Sequence, residues 1–350
     1  MSFNPSSSYL PWVEKSRLLA EFGFYSSAIV CSIFITLTLL GMRQRFGSYA
    51  YLLASFSTLG IFFAFWEYML CPNVHSHNAG YSFYSTNRPF NCSKEAVTVG
   101  IAVYTGLYAS TISLISVHFI YRYWAIFYQE KLKMFTGWYV LFWVAYCSGF
   151  GVQWALGIYF LNEVDDFTND YLRSAMKTNY DLDIDDLAGV AVVMYAPDNT
   201  LRMRNLLGLI NMTSIMAVQY LVIIYCAAMM HLNMEEKLQL ASESKKRLNK
   251  QFFKTLMLQI VSPTIFLFLP VIAIIYSPLL NLEMDIPTGL FPCALTLYPA
   301  MDALICMTIV TDYRTVSKRY LLKTLKKTTD WLSQNVPTEV TRMERTTRRF

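Results

Sequence analysis

The chain has 350 residues, of which 55% are hydrophobic, 16% aromatic and only 15% charged, with a formal net charge of +5. So few charges cannot cover the surface of an ordinary soluble protein of this length, which excludes a soluble globular domain and points to a membrane domain. No nucleic-acid motif accompanies the positive charge, so nucleic acid is not an expected partner; anionic lipid and partners at the inner face are.

A bilayer core about 30 Å thick needs roughly 20 mainly apolar residues per helix. Seven stretches meet that length, at residues 22–42, 51–70, 96–127, 137–161, 206–231, 252–276 and 289–310. Lipid offers no partner for exposed peptide groups, so spans of this length are helices; barrel strands would be shorter and alternate in polarity. The expected fold class is an all-α membrane protein: a seven-transmembrane helix bundle over 22–310, between an N-terminal segment 1–21 and a tail 311–350. Residues 1–20 hold no apolar run bounded by a cleavage site, so the first span is expected to act as the targeting signal. Nineteen Lys and Arg fall in the first, third and fifth loops and the tail, against eight on the other face (Lys15, Arg17, Arg88, Lys94, Arg173, Lys177, Arg202 and Arg204). Positive residues stay cytoplasmic, which predicts the N-terminus outside and the C-terminus inside. Lys15 and Arg17 balance Arg43 and Arg45 locally; the tail decides the total.

In chain order, Phe65 and Glu67 stand near the outer end of span two. Cys71 and Cys92 lie at or beyond the outer ends of spans two and three, in an oxidising compartment, where either a disulfide or two free thiols fits. On the same loop Asn91-Cys92-Ser93 is a glycosylation sequon; Asn211-Met212-Thr213 has the pattern but lies inside span five, leaving Asn91 as the acceptor candidate. His75 and His77 lie together there without a defined third ligand, so no metal centre and no cofactor are expected.

Span three carries Tyr104 and Tyr108 one turn apart and runs into SVHFIYRYWAIFYQEK at 116–131, with His118, Tyr121 and Arg122 in its final turns. An arginine a turn or two from a helix end can snorkel or face the bundle, and escapes the full cost of the bilayer centre. Loop 162–205 is rich in Asp, but DLDIDD lacks the ordered glycine-containing spacing of an EF-hand, so a solvated loop is expected. Span six contains Pro263 and Pro270, nearly on one face; each removes a backbone hydrogen bond, which makes a pivot or simply shapes packing. Its basic inner end, KKRLNKQFFK, carries Lys246, Arg247 and Lys250. Span seven holds LYPAMDALI with Pro299 and Asp302, an intramembrane carboxylate that is expensive unless protonated or paired. Asp312, Tyr313 and Arg314 mark the membrane exit. Beyond them Tyr313, Val316, Tyr320, Leu321 and Leu325 recur among basic residues, predicting an amphipathic helix over 311–327 on the inner leaflet.

Four fragments carry a family resemblance: VHFIYRYWA ending span three, RNLLG entering span five, KQFFKTLMLQIVSPTIFLFLPV through span six and LYPAMDALICMTIVTDYR through span seven. Across all seven spans the chain resembles the nematode seven-transmembrane chemoreceptors of the Str class (serpentine receptor class r). The resemblance implies a G-protein-coupled receptor in the membrane of sensory cilia. Its partners would be a small-molecule odorant, a Gi/o-like heterotrimeric G protein, membrane lipid and, in an oligomer, further receptor copies.

On that topology His118, Tyr121, Arg122, Lys246, Arg247, Lys250, Pro263, Pro270, Pro299, Asp302, Asp312 and Arg314 are the candidates for coupling and switching. Tyr121 stands where rhodopsin-like receptors place an acid beside the corresponding arginine, so that lock does not carry over; Glu235, Glu236 and Glu243 are the substitutes on the inner loop. LYPAMD occupies the place of the NPxxY element without matching it. The ligand pocket is expected between the outer halves of spans two, three, five, six and seven, with Phe65, Glu67, Tyr104, Tyr108, Asn211, Phe266, Phe268 and Phe291 as candidates. An aromatic lining suits a small, weakly polar molecule. The alternative is a ligand-gated seven-helix odorant channel of the insect type, whose N-terminus is inside. Paired intramembrane acids, a His-rich metal set and an inverted repeat, which an enzyme or transporter would need, are not found.

Overall fold

A computed structural model of the chain describes residues 9–239, 242–265, 269–282 and 284–319, together with 322, 327 and 331. Helix α1 (Leu10–Thr36) starts well before the expected first span, with Pro11 in its first turn, where a missing N–H costs nothing. It continues through a π-type turn over Leu37–Met42 and a last helical turn, Arg43–Phe46. Gly47, at φ +58°, then reverses the chain directly into α2 (Ser48–Leu70), a conformation that L side chains rarely adopt. Helices α3 (Lys94–Phe127) and α4 (Val140–Leu161) follow. The amide of Ala96 donates to the Ser93 hydroxyl at 3.3 Å, capping α3.

The fifth span is α6 (Met203–Lys237), after the short α5 (Asp166–Tyr180) in the preceding loop. The sixth is described in two parts, α7 (Glu243–Pro263) and α8 (Leu269–Tyr276). The seventh is α9 (Leu290–Ala294), a 3-10 turn over Leu295–Leu297, and α10 (Tyr298–Ile309), with residues 311–319 helical beyond it. Pro299 in the first turn of α10 cannot donate back to the preceding turn, which accounts for the change of helix type there. Among the described residues six helices are long and apolar enough to cross a membrane, and they match the expected spans one to five and seven. Large apolar side chains such as Phe22, Ile29, Leu141, Phe142, Leu221 and Ile224 face outward, an arrangement that suits lipid and not water.

One feature departs from an all-helical expectation. Strands β1 (Asn73–His77), β2 (Gly80–Ser85), β3 (Ala188–Val193) and β4 (Asp285–Pro287) form an antiparallel sheet in the order β3-β2-β1-β4. It joins the loops after α2, α5 and α8 across one end of the bundle. Alternation divides its faces. Val74, Tyr81, Phe83, Val190 and Val192 pack on the helices beneath, whereas Tyr84 and Ala191 pack with Leu172, Met176 and Tyr180 of α5 on the far side. The acidic loop is thus built and not merely solvated. Asp165 caps α5, the Arg173 guanidinium meets Asp185 at 2.6 Å, and Arg202 and Arg204 pair with Asp165 and Glu163. The hydrogen bond from Arg173 holds the Asp185 carboxyl below the usual carboxylate range, and Lys177 does the same for Asp181.

Two apolar clusters fill the bundle. The upper one lies beneath the sheet; the lower one joins α1, α2, α3, α6, α7 and α10 at the opposite end. Between α3 and α4 the backbones touch closely, since a Cβ on Gly106 would come within 2.6 Å of the Gly151 carbonyl oxygen. Small residues permit such an approach, and dispersion rewards it in lipid.

Candidate functional site

Beneath the sheet a cavity of about 480 Å³ opens between α3, α4, α6, α7 and α8. Its wall is Tyr108, Trp154, Leu209, Met212, Thr213, Met216, Ala217, Tyr220, Thr264, Ile272, Ile275 and Tyr276. A smaller space of about 90 Å³ shares Tyr108, Trp154, Met212 and Ile275 and extends to Tyr104 and to Tyr81 and Phe83 of the sheet. The sheet therefore forms the roof. Polar atoms on the wall are mostly hydroxyls, several already engaged: Tyr220 and Thr264 lie 3.0 Å apart, and Thr213 and Tyr276 2.5 Å.

Of the residues expected in the pocket, the structure brings Tyr104 and Tyr108 to it. Glu67 is fully buried behind Tyr104, beside that hydroxyl and the Cys293 thiol, and is not on the cavity wall. Three more expectations are corrected. Phe65 is turned outward and meets Phe24 of α1, with ring centroids 5.8 Å apart. Phe291 is also exposed. Asn211 faces α4, where its Oδ1 accepts from Gln153 at 3.0 Å and its amide lies against Gly157. The cause is helix rotation, which the amino-acid type at one position does not fix. Phe266 and Phe268 lie outside the described residues.

The missed lining residues had a readable signal on α6. Leu209, Met212, Thr213, Met216, Ala217 and Tyr220 recur at spacings of three and four, the period of one helix face, while Leu207, Ile210, Val218 and Leu221 face outward. Trp154 comes from span four, outside the five spans expected to line the pocket. The roof residues come from strands that were not foreseen.

At the opposite end, Arg122 is buried and its guanidinium carbon lies 3.5 Å from the ring centroids of both Tyr49 and Phe252. Phe252 sits in α7 and Tyr49 at the start of α2, so the arginine bridges three spans through ring faces. Tyr49 also reaches His118 Nδ1 at 3.3 Å, and the Tyr121 hydroxyl lies 3.0 Å from Ser48 Oγ. None of the substitute acids takes the role proposed for it. Glu235 pairs with Lys250 at 2.6 Å and Glu243 with Lys246 at 2.8 Å, and no ion pair to Arg122 is present among the described residues. Arg122 Nε and Nη2 make no hydrogen bond. Aromatic faces occupy the place of the carboxylate.

The remaining switch candidates form part of the same end or its approach. Asp312 pairs with Arg45, whereas Arg247 and Arg314 are exposed. Pro299 packs against Gly60 of α2, and its carbonyl accepts from the Cys31 thiol at 3.3 Å. Asp302 is buried beside Gln259 and Tyr298. Pro263 closes α7 and Pro270 lies in the first turn of α8. Of the amphipathic tail helix, residues 311–319 are helical, with Tyr313 fully buried and its hydroxyl 2.7 Å from Thr38 Oγ1; Tyr320, Leu321 and Leu325 lie outside the described residues.

The thiols of Cys71 and Cys92 are both free, so of the two readings the disulfide is not formed. Cys71 ends α2 in a left-handed conformation and its thiol turns back to the Tyr68 carbonyl at 3.2 Å, while Cys92 packs against the upper apolar cluster. Asn91 is exposed at the sheet-capped end. His75 and His77, left without a third ligand by sequence, are joined by Asp285 of β4.

Residues 16–318 match the family model described as serpentine type 7TM GPCR chemoreceptor Str. The chain is 36% identical over 305 residues to the G-protein coupled receptor str-33 of Caenorhabditis elegans, covering 85% of this chain and 88% of that one. It is 30% identical over 289 residues to serpentine receptor class r-10 of C. elegans, with 81% and 85% covered, and 30% identical over 305 residues to its namesake in Caenorhabditis briggsae, with 85% and 89% covered. An apolar seven-span bundle, an apolar cavity under a capped end and a match over nearly the whole bundle agree: the chain belongs to the Str family of serpentine seven-transmembrane chemoreceptors, a multi-pass membrane receptor and not an enzyme.

Proposed function

We propose that this receptor takes a small, weakly polar odorant into the cavity beneath the sheet and signals to a Gi/o-like heterotrimeric G protein at the opposite end. The cavity carries the reading. Its volume of about 480 Å³ falls in the range of small-molecule sites, and among the described residues no charged side chain stands on its wall. Aromatic and methionine side chains supply dispersion, while the hydroxyls of Tyr108, Tyr220 and Thr264 offer a few orienting contacts. An ion would have to shed its water there without a partner of opposite charge, which disfavours strongly charged ligands.

The excess of Lys and Arg in the loops and tail away from the sheet supports an orientation with the sheet outside and the tail inside. Residues 22–310 then form the receptor domain, 1–21 an outer segment, and 311–350 an inner tail whose basic residues meet anionic lipid. Asn91 is the glycosylation acceptor on the outer face. The family relation supports a place in the cilium of a sensory neuron, in an oligomer or alone.

The test is a concentration–response measurement of calcium or cAMP in cells expressing the receptor, over a panel of volatile and water-soluble compounds. Ala217→Phe puts a ring into the cavity, and sensitivity to any agonist found should fall at least about tenfold, equivalent to about 1.4 kcal/mol, at unchanged surface expression. An unchanged response would refute the cavity as the ligand site. Removal of the Gα subunit should abolish the signal; a current that survives it would favour the ligand-gated channel.

A further inference from the structure

We propose that His75, His77 and Asp285 form a three-ligand site for a zinc-like divalent metal ion, which ties the loop before span seven to the sheet. The two histidines are two apart in β1, so alternation puts both rings on one face of the sheet, the face turned toward α5. Asp285 stands directly opposite His77 in the register of β1 and β4. His75 Nε2 lies 2.9 Å and His77 Nδ1 3.2 Å from the same Asp285 oxygen, Oδ1, and the three donor atoms lie within 4.8 Å of one another. A tetrahedral zinc ion with nitrogen and oxygen ligands at about 2.0–2.1 Å sets donors roughly 3.4 Å apart. Each of the two nitrogens therefore needs to part from the Asp285 oxygen by only a few tenths of an ångström, and Asp285 sits on an exposed edge strand where such a shift meets little resistance.

The surroundings favour a metal over a simple ion pair. His75 is fully buried, yet its Nε2, aimed into this cluster, makes no hydrogen bond of normal geometry. Its other ring nitrogen, Nδ1, lies 3.1 Å from the Tyr180 hydroxyl, the kind of outer contact that fixes a ring and leaves the opposite nitrogen to a metal. Asn179 donates to both Asp285 oxygens at 3.2 Å and helps to orient the carboxylate. The His77 and Asp285 side chains keep 21% and 46% of their surface exposed, so a fourth coordination position opens to water. Two imidazoles and one carboxylate form a nitrogen-rich set that suits zinc and not the all-oxygen chemistry of calcium or magnesium.

The site does not depend on the identity of the odorant, and its test needs none. Full-length receptor in lipid nanodiscs is stripped with EDTA and titrated with Co²⁺ as a spectroscopic probe, then with Zn²⁺. The expected result is the visible absorption of tetrahedral Co²⁺ saturating at one ion per chain, its displacement by Zn²⁺, and a thermal midpoint several degrees higher with Zn²⁺ than with EDTA. His77→Ala and Asp285→Asn alter groups that are partly exposed, and each should abolish the cobalt spectrum and the zinc shift while leaving the midpoint in EDTA near that of the parent. Tyr180→Phe should weaken affinity 10- to 100-fold without abolishing it. Absence of a saturable cobalt spectrum in the parent receptor would overturn the proposal, and so would a spectrum that persists in both His77→Ala and Asp285→Asn.

Discussion

Arg122 shows how one side chain can be restrained without an acid. A desolvated guanidinium over an aromatic face is stabilised by about 2 kcal/mol or more, and this one meets two faces at 3.5 Å. The Tyr49 ring belongs to α2 and the Phe252 ring to α7, so displacement of α7 at this end of the bundle would remove one face and leave the other. Phe252→Leu keeps the site apolar and deletes the ring. If the two-ring clasp restrains the receptor at rest, the loss of about 1–2 kcal/mol raises the active fraction roughly 5- to 30-fold, read as basal signalling at constant surface expression. A basal level equal to that of the parent would sink the clasp as a restraint. Arg122→Ala should instead lose coupling, because the same side chain is proposed to face the G protein once released.

At the scale of elements, close backbone contact between α3 and α4 sets the frame that holds Tyr108 and Trp154 edge to face at the cavity wall. Gly106→Val adds bulk where a Cβ alone would stand 2.6 Å from the Gly151 carbonyl oxygen and 3.0 Å from Ala155 Cβ. Overpacking of this kind costs about 1–3 kcal/mol, so the thermal midpoint of the purified receptor and its surface expression should both fall, whereas Gly149→Ala, with open space at its Cβ, should change neither. An unaltered midpoint for Gly106→Val would show that the helices can part without loss. The lengths of such helices were legible in the sequence because hydrocarbon thickness dictates a run of apolar residues. Their rotation was not: Phe65 and Phe291 read as pocket residues yet face outward, and only the spaced row on α6 encodes its facing. The sheet was hidden for another reason. Its strands are three to six residues long, and β2 pairs with β3 more than a hundred positions away, so no local period announces it. A larger separation, 208 positions in the case of His77, kept Asp285 from being read with the two histidines.

Across the whole molecule, polar contacts inside the bundle tie together helices that carry the cavity and the Arg122 clasp. Ser116 and Tyr146 both donate to Gln219 Oε1, at 2.7 and 2.8 Å, linking α3, α4 and α6, while Tyr220 and Thr264 link α6 to α7 at the cavity wall. At the end away from the sheet α7 is held in three ways: by the rings around Arg122, by Gln251, whose Nε2 donates to Thr311 Oγ1 at 3.2 Å, and by the ion pair of Lys250 with Glu235. Magnitude ranks these restraints. The Glu235 and Lys250 side chains are 80% and 55% exposed, and exposed pairs contribute about 0–1 kcal/mol, well below a buried cation between two rings. Glu235→Lys should therefore raise basal signalling by less than about fivefold, and the reversed pair Glu235→Lys with Lys250→Glu should bring it back to the parental level. An increase matching that of Phe252→Leu would reverse this order and make the surface ion pair, not the aromatic clasp, the main restraint on α7.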